Sequence, residues 1–102
     1  MRLMCMFDLP MDTSNEKRQY RTFRKSLKIN GFSKVQYSVY CRAIQNRSAG
    51  KKYISALSEF LPEHGEVRLI AVSEKQYNDM KILVGHRSKQ ETIIGNKDLV
   101  II

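Results

Sequence analysis

A chain of 102 residues makes one domain, long enough for a core and short enough that oligomerisation often completes its burial. With 18 Lys and Arg against 10 Asp and Glu, the net charge is +8 and the pI about 9.7, which points to a polyanion, most often nucleic acid, with an anionic membrane surface next. Two cysteines make neither a disulfide scaffold nor a zinc site, and no apolar run approaches a membrane span.

In chain order, Arg2 to Phe7 reads as a nearly continuous apolar strand, buried on both faces at the centre of a sheet. Cys5 in it, and Cys41 later, are read as reduced core residues of a cytoplasmic protein. This first run is also too short for a signal-peptide core. "TSNE" matches a capping box, Thr13 with Glu16, and predicts a helix to about Asn30 with Gly31 as a left-handed cap.

"GFSKVQYSVYCRAI" is rich in β-branched and aromatic residues with period two. Val35, Tyr37, Val39 and Cys41 share one face, and Gln36, Ser38, Tyr40 and Arg42 the other. The run is long for one strand, so a bend or tight turn is expected inside it. After the polar "NRSAGKK", the spacing of Tyr53, Ile54, Leu57, Phe60 and Leu61 predicts a second helix, stopped by Pro62. "HGEVRLIAV" reads as another buried strand, "SEKQYNDM" as a polar excursion, and "KILVG" as a short strand. The terminal "DLVII" is apolar and β-prone, an aggregation hazard unless paired. Leu99, Val100, Ile101 and Ile102 are expected to pair across a homodimer, the alternative being a return to the chain's own sheet edge.

The order of elements predicts an α+β, ferredoxin-like βαββαβ sandwich over residues 1–85, both helices on one face of an antiparallel sheet. Residues 86–102 are expected to form an extension with an extra C-terminal strand, and the whole is expected to be a two-fold homodimer.

Each helical residue advances about 100°. On the first helix this puts Lys17, Arg18, Arg21, Arg24, Lys25 and Lys28 on one contiguous arc of about 120°, beside the Tyr20, Phe23 and Leu27 face. Six cations without an acid among them repel one another, so the stripe fits a phosphate-facing surface that follows a backbone without reading bases. Weaker basic clusters are Arg42, Arg47, Lys51 and Lys52, and then Lys81, His86, Arg87 and Lys89. His64 and His86 are expected to be loop residues.

Asp8 ends the first strand two residues before Pro10. It reads either as a turn residue or as a hard oxygen ligand for Mg²⁺, a metal that keeps several waters and takes one or two carboxylates. One such acid per chain is poor equipment for hydrolysis; two at a two-fold axis suit metal-assisted phosphodiester chemistry. No HExxH and no phosphate-binding glycine loop is present.

"FDLP" at the end of the first strand, Leu27, Gly31 and "VQYSVY" at Val35–Tyr40 together resemble the second CRISPR-associated core protein family, the endoribonuclease of the spacer-acquisition machinery. The "FDLP" form is most similar to the type II branch, and the resemblance spans Met1 to about Gly85. It implies a ferredoxin-like two-fold dimer with Asp8 as the catalytic and Mg²⁺-binding position. It also implies a double-stranded DNA prespacer held along a basic face between two dimers of the CRISPR integrase. The expectation is therefore a dimeric duplex-binding scaffold of CRISPR adaptation with Mg²⁺-dependent endonuclease activity on DNA or RNA. The rivals are a non-catalytic single-stranded RNA binder and a regulatory metabolite-binding dimer. The former needs stacking aromatics on adjacent central strands, whereas Tyr37 and Tyr40 fall on opposite faces of a regular strand; the basic stripe disfavours the latter.

Overall fold

The computed structural model describes residues 1–87. Its elements are β1 (Arg2–Asp8), α1 (Ser14–Ile29), β2 (Ser33–Gln36), β3 (Val39–Ala43), α2 (Lys51–Ser58, after a 3₁₀ turn at Ser48–Gly50), β4 (Glu66–Val72) and α3 (Glu74–Asn78). The sheet order is β2-β3-β1-β4, with every neighbouring pair antiparallel. That is the expected ferredoxin-like arrangement, with β1 central.

The helix signals are borne out in detail. The Thr13 hydroxyl accepts the Glu16 N–H at 3.1 Å, while the Glu16 carboxylate accepts from the Thr13 N–H at 3.0 Å. Two free N–H groups at the start of α1 are thereby satisfied reciprocally. Gly31, at φ +83°, turns the chain out of the helix.

Alternation along β1 divides the molecule. Leu3, Cys5 and Phe7 face the helices and join Phe23 and Leu27 of α1, Leu57 of α2 and Tyr40 of β3 in the core. Phe7 is its aromatic hub, edge-on to Phe23 at 5.3 Å and stacked on Tyr40 at 5.8 Å. Met4, Met6 and Asp8 point to the opposite face, with Val39 and Cys41 of β3 and Ile70 of β4 in register beside them. That face is half open: Met6 and Ile70 are exposed. One end of it is covered by α3, where the buried Tyr77 ring lies 3.6 Å under the Arg2 guanidinium, itself paired with Glu74 at 3.2 Å. Arg2 opens β1 as a buried charge that can be accommodated because it is stacked and paired.

Several expectations are corrected. The long β run is a hairpin of two strands, turned at Tyr37–Ser38 with Ser38 at φ +62°. The second helix ends at Ser58, so Phe60 and Leu61 lie beyond it and are exposed. Leu61 instead lines an apolar groove with Ile54, Leu57, Val67 and Leu69. Among the described residues β4 is an edge strand, with Arg68 and Ile70 exposed, rather than buried on both faces. Part of the polar excursion is α3, with its own Ser73–Gln76 capping box. "KILVG" forms no strand, and Leu83 and Val84 stand in solvent, because no neighbouring strand among the described residues offers them a ladder. The terminal run Leu99–Ile102 lies outside the described residues.

Both cysteines are buried, on opposite faces of the sheet, and no disulfide joins them. Burial pushes the Cys5 thiol up from 9.0 to about 12. The unfolded chain loses this proton near its ordinary value while the folded chain keeps it, so the folded state holds more protons in between. Stability is therefore expected to fall as pH rises through the window from 9.0 to about 12. Urea midpoints at pH 8 and pH 10 should separate the wild type from Cys5→Ala, with only the wild type showing this extra alkaline loss.

Candidate metal centre and nucleic-acid interface

Asp8 is the last residue of β1, exposed at the rim of the open face. Its cross-strand partner is Glu66, and directly opposed residues carry their Cβ atoms about 4.5–5.5 Å apart on one face. Two carboxylates so placed repel. Glu66 is answered by Arg68 at 2.8 Å, whereas the Asp8 carboxylate forms no hydrogen bond or ion pair among the described residues. The turn ahead of β4 closes on this position. At Gly65, φ is +98° and a Cβ would lie 2.5 Å from the Asp8 carbonyl oxygen, so only glycine lets the loop approach. Gln19 of α1 holds the same loop, donating to the Glu63 carboxylate and accepting from its N–H, both at 3.1 Å.

This environment fits Mg²⁺ as well as one chain can. Asp8 is accessible and flanked by an acid, and no cation pairs with it among the described residues. Among the described residues no three His, Cys, Asp or Glu side chains gather into a metal cage. A metal here would have one or two carboxylates per chain and water for the rest. Glu66 and Arg68 were missed by sequence reasoning: Glu66 is 58 positions from Asp8, and only strand register brings them together.

The basic stripe survives largely intact. Lys17, Arg18, Arg21, Lys25 and Lys28 are exposed, and Arg18 also donates to Asn15 at 2.7 Å. Arg24 is half-buried, its guanidinium 5.6 Å from the Tyr20 ring centre, so it borders the stripe and the aromatic core. The weaker clusters partly dissolve. Arg42 donates to the Asn30 carbonyl at 2.7 Å and stacks 3.9 Å over Tyr53, closing the C-terminal end of α1. Arg87 donates to the Tyr77 carbonyl at 3.0 Å and to Asn78 at 2.8 Å. Both serve the fold. His64 and His86 are exposed loop residues, and Lys89 lies outside the described residues. No described helix is long and apolar enough to cross a membrane.

The family described as "CRISPR associated protein Cas2" matches residues 1–80. The chain is 46% identical over 101 residues to the CRISPR-associated endoribonuclease Cas2 of Ligilactobacillus salivarius, covering 99% of this chain and all of that protein. It is 43% identical over 98 residues to the protein of the same name from Streptococcus mutans, covering 96% and 87%. Its fold is similar to the crystal structure of Streptococcus pyogenes Cas2, with a TM-score of 0.64 at 16% identity, over 82% of this chain and all of that one. At that identity the structural likeness speaks for the fold alone. With a family match over most of its length and relatives above 40% identity along nearly all of it, the chain belongs to the CRISPR-associated Cas2 family.

Proposed function

We propose that the chain acts in CRISPR adaptation as a two-fold homodimer that holds double-stranded DNA along the stripe of α1 and cleaves phosphodiesters at Asp8 with Mg²⁺. The observation that carries the reading is Asp8 itself, an accessible carboxylate at the rim of an apolar, half-open sheet face. Met4, Met6 and Ile70 on that face suit burial against a second copy, which would bring a second Asp8 to the same rim. The outer edge of β4, unpaired among the described residues, offers a ladder to an added strand, the role proposed for Leu99–Ile102. The CRISPR integrase is the partner that family membership favours. The names of the relatives favour a nuclease, and RNA stands beside DNA as its substrate class.

When bound, Mg²⁺ supplies charge neutralisation at the phosphate and a more acidic water. Asp8 would hold the metal. Glu66 lies across the strand from it with its charge answered by Arg68, and the stripe residues would bind the flanking phosphates without regard to sequence.

Labelled duplex DNA and single-stranded RNA, incubated with Mg²⁺ or with EDTA, test the reading. Asp8→Ala is expected to lower Mg²⁺-dependent cleavage by at least about a hundredfold, the upper end of what losing even an outer-shell partner costs. Duplex binding and the dimer should be unchanged. Equal cleavage by both proteins would remove Asp8 from the chemistry. Tight duplex binding with no cleavage by either would leave a scaffold and make Asp8 a turn residue.

A further inference from the structure

Asp8 and the basic stripe lie on different sides of the sheet. The stripe belongs to α1, which packs through Phe23 and Leu27 on the face that carries Leu3, Cys5 and Phe7. Asp8 shares the other face with Met4 and Met6. Cations of α1 can hold phosphates that flank the site, but a phosphate that meets Asp8 lies across the sheet from them. There it faces two carboxylates, since Glu66 stands opposite Asp8, and both oppose its approach.

Among the basic residues of the described strands, one is exposed on that face. Lys34 and Arg42 stand opposite Tyr40 and Leu3, on the helix side, and Arg2 is buried against Tyr77 of α3. That leaves Arg68, opposite Met6 and one diagonal step from Asp8. Diagonal neighbours lie about 7–8 Å apart, a gap that a long side chain spans. The Arg68 side chain is 76% exposed, and its guanidinium leans toward the rim, donating to the Glu66 carboxylate at 2.8 Å. An exposed ion pair of this kind adds little to the fold, so stability does not account for it. A guanidinium matches two phosphate oxygens as well as it matches a carboxylate, and this one can turn from Glu66 to a phosphate by side-chain rotation alone.

We propose that Arg68 seats the substrate phosphate at the Asp8 rim: its guanidinium leaves Glu66 and takes the non-bridging oxygens of the phosphodiester that lies at Asp8. Glu66 holds the guanidinium until a phosphate displaces it. The proposal deepens the reading of Asp8 as a cleavage site, and rests on that reading for its part in catalysis, by naming a second residue that touches the substrate.

Dinucleotides test it apart from any cleavage. Uridylyl-uridine and thymidylyl-thymidine each carry one phosphodiester, so neither can occupy the rim and the stripe together. In EDTA, millimolar dinucleotide is expected to shift the Asp8 and Glu66 amide resonances and the Arg68 Nε–H resonance of the ¹⁵N-labelled protein. Arg68→Ala is expected to weaken the binding read at the two amides roughly tenfold, the lower end of what a charged hydrogen bond contributes, and Arg68→Lys by less. Arg21→Ala should leave it alone. Glu66→Gln frees the guanidinium and removes a negative charge, so it should hold or tighten binding. Unchanged binding in Arg68→Ala, a wild type that shifts at neither amide, or equal weakening by Arg68→Ala and Glu66→Gln overturns the proposal. With Mg²⁺ and labelled RNA or duplex DNA, Arg68→Ala is expected to lower kcat about a hundredfold, as losing one charge-stabilising donor does, with KM little changed because the stripe still holds the flanking phosphates. Full cleavage by Arg68→Ala beside its loss in Asp8→Ala overturns the seat and leaves the Asp8 reading standing. A wild type that cleaves neither substrate removes that reading, and the dinucleotides still decide whether Arg68 seats a phosphate.

Discussion

Replacing Arg21 and Lys25 together by Ala is expected to weaken duplex DNA binding about thirtyfold at 0.15 M salt, since each lost phosphate contact removes roughly 0.9 from the log–log salt slope. The slope itself should flatten by about two units, equally for unrelated sequences, because the stripe follows the backbone and reads no bases. Both residues are exposed on one face of α1, so the substitutions should leave thermal stability nearly unchanged, and relief of like-charge repulsion works in that direction. A salt titration of binding to two duplexes of different sequence provides the check. If reversing Lys81 alone took as much from the slope, the phosphate-binding surface would lie elsewhere. Arg42 makes a useful contrast: it is as basic as any stripe residue, yet it is engaged with the Asn30 carbonyl and the Tyr53 ring. Charge counted from sequence overstates the charge available to a ligand.

Phe23→Ala is expected to cost about 3–5 kcal/mol, the range for removing a buried aromatic. For a domain of this size that lowers the melting temperature by roughly 20 °C. Phe23 is fully buried and meets the Phe7 ring edge-on at 5.3 Å and 81°. Phe7 in turn contacts Tyr40 and Tyr20, so a cavity at Phe23 loosens the aromatic cluster that seats α1 on the sheet. The damage reaches the site as well, because Phe7 precedes Asp8 and its N–H holds the Tyr37–Ser38 turn. Thermal unfolding followed by circular dichroism measures the effect. A shift below about 5 °C, corresponding to roughly 1 kcal/mol, would mean that the cluster contributes little to the stability of the fold.

What the chain alone determined is what depends on near neighbours. The Thr13–Glu16 box starts α1, Gly31 ends it, and the 100° advance sorts six cations onto one stripe. These are set within a few residues of each other, where spacing is geometry. The apolar run of β1, the place of Asp8 at its end and the "VQYSVY" block were equally local. The sequence of strands and helices was enough to imply the ferredoxin-like order. Tertiary structure decided everything that depends on register between distant segments. It set Glu66 opposite Asp8 and brought Gly65 against its carbonyl. Among the described residues it made β4 an edge strand and gave Lys81–Gly85 no ladder. It also committed Arg2, Arg42 and Arg87 to aromatic rings and backbone carbonyls while leaving the Tyr37 ring in solvent. A side chain's type and its place along the chain are the same whether it is spent on the fold or left for a ligand; only packing distinguishes the two.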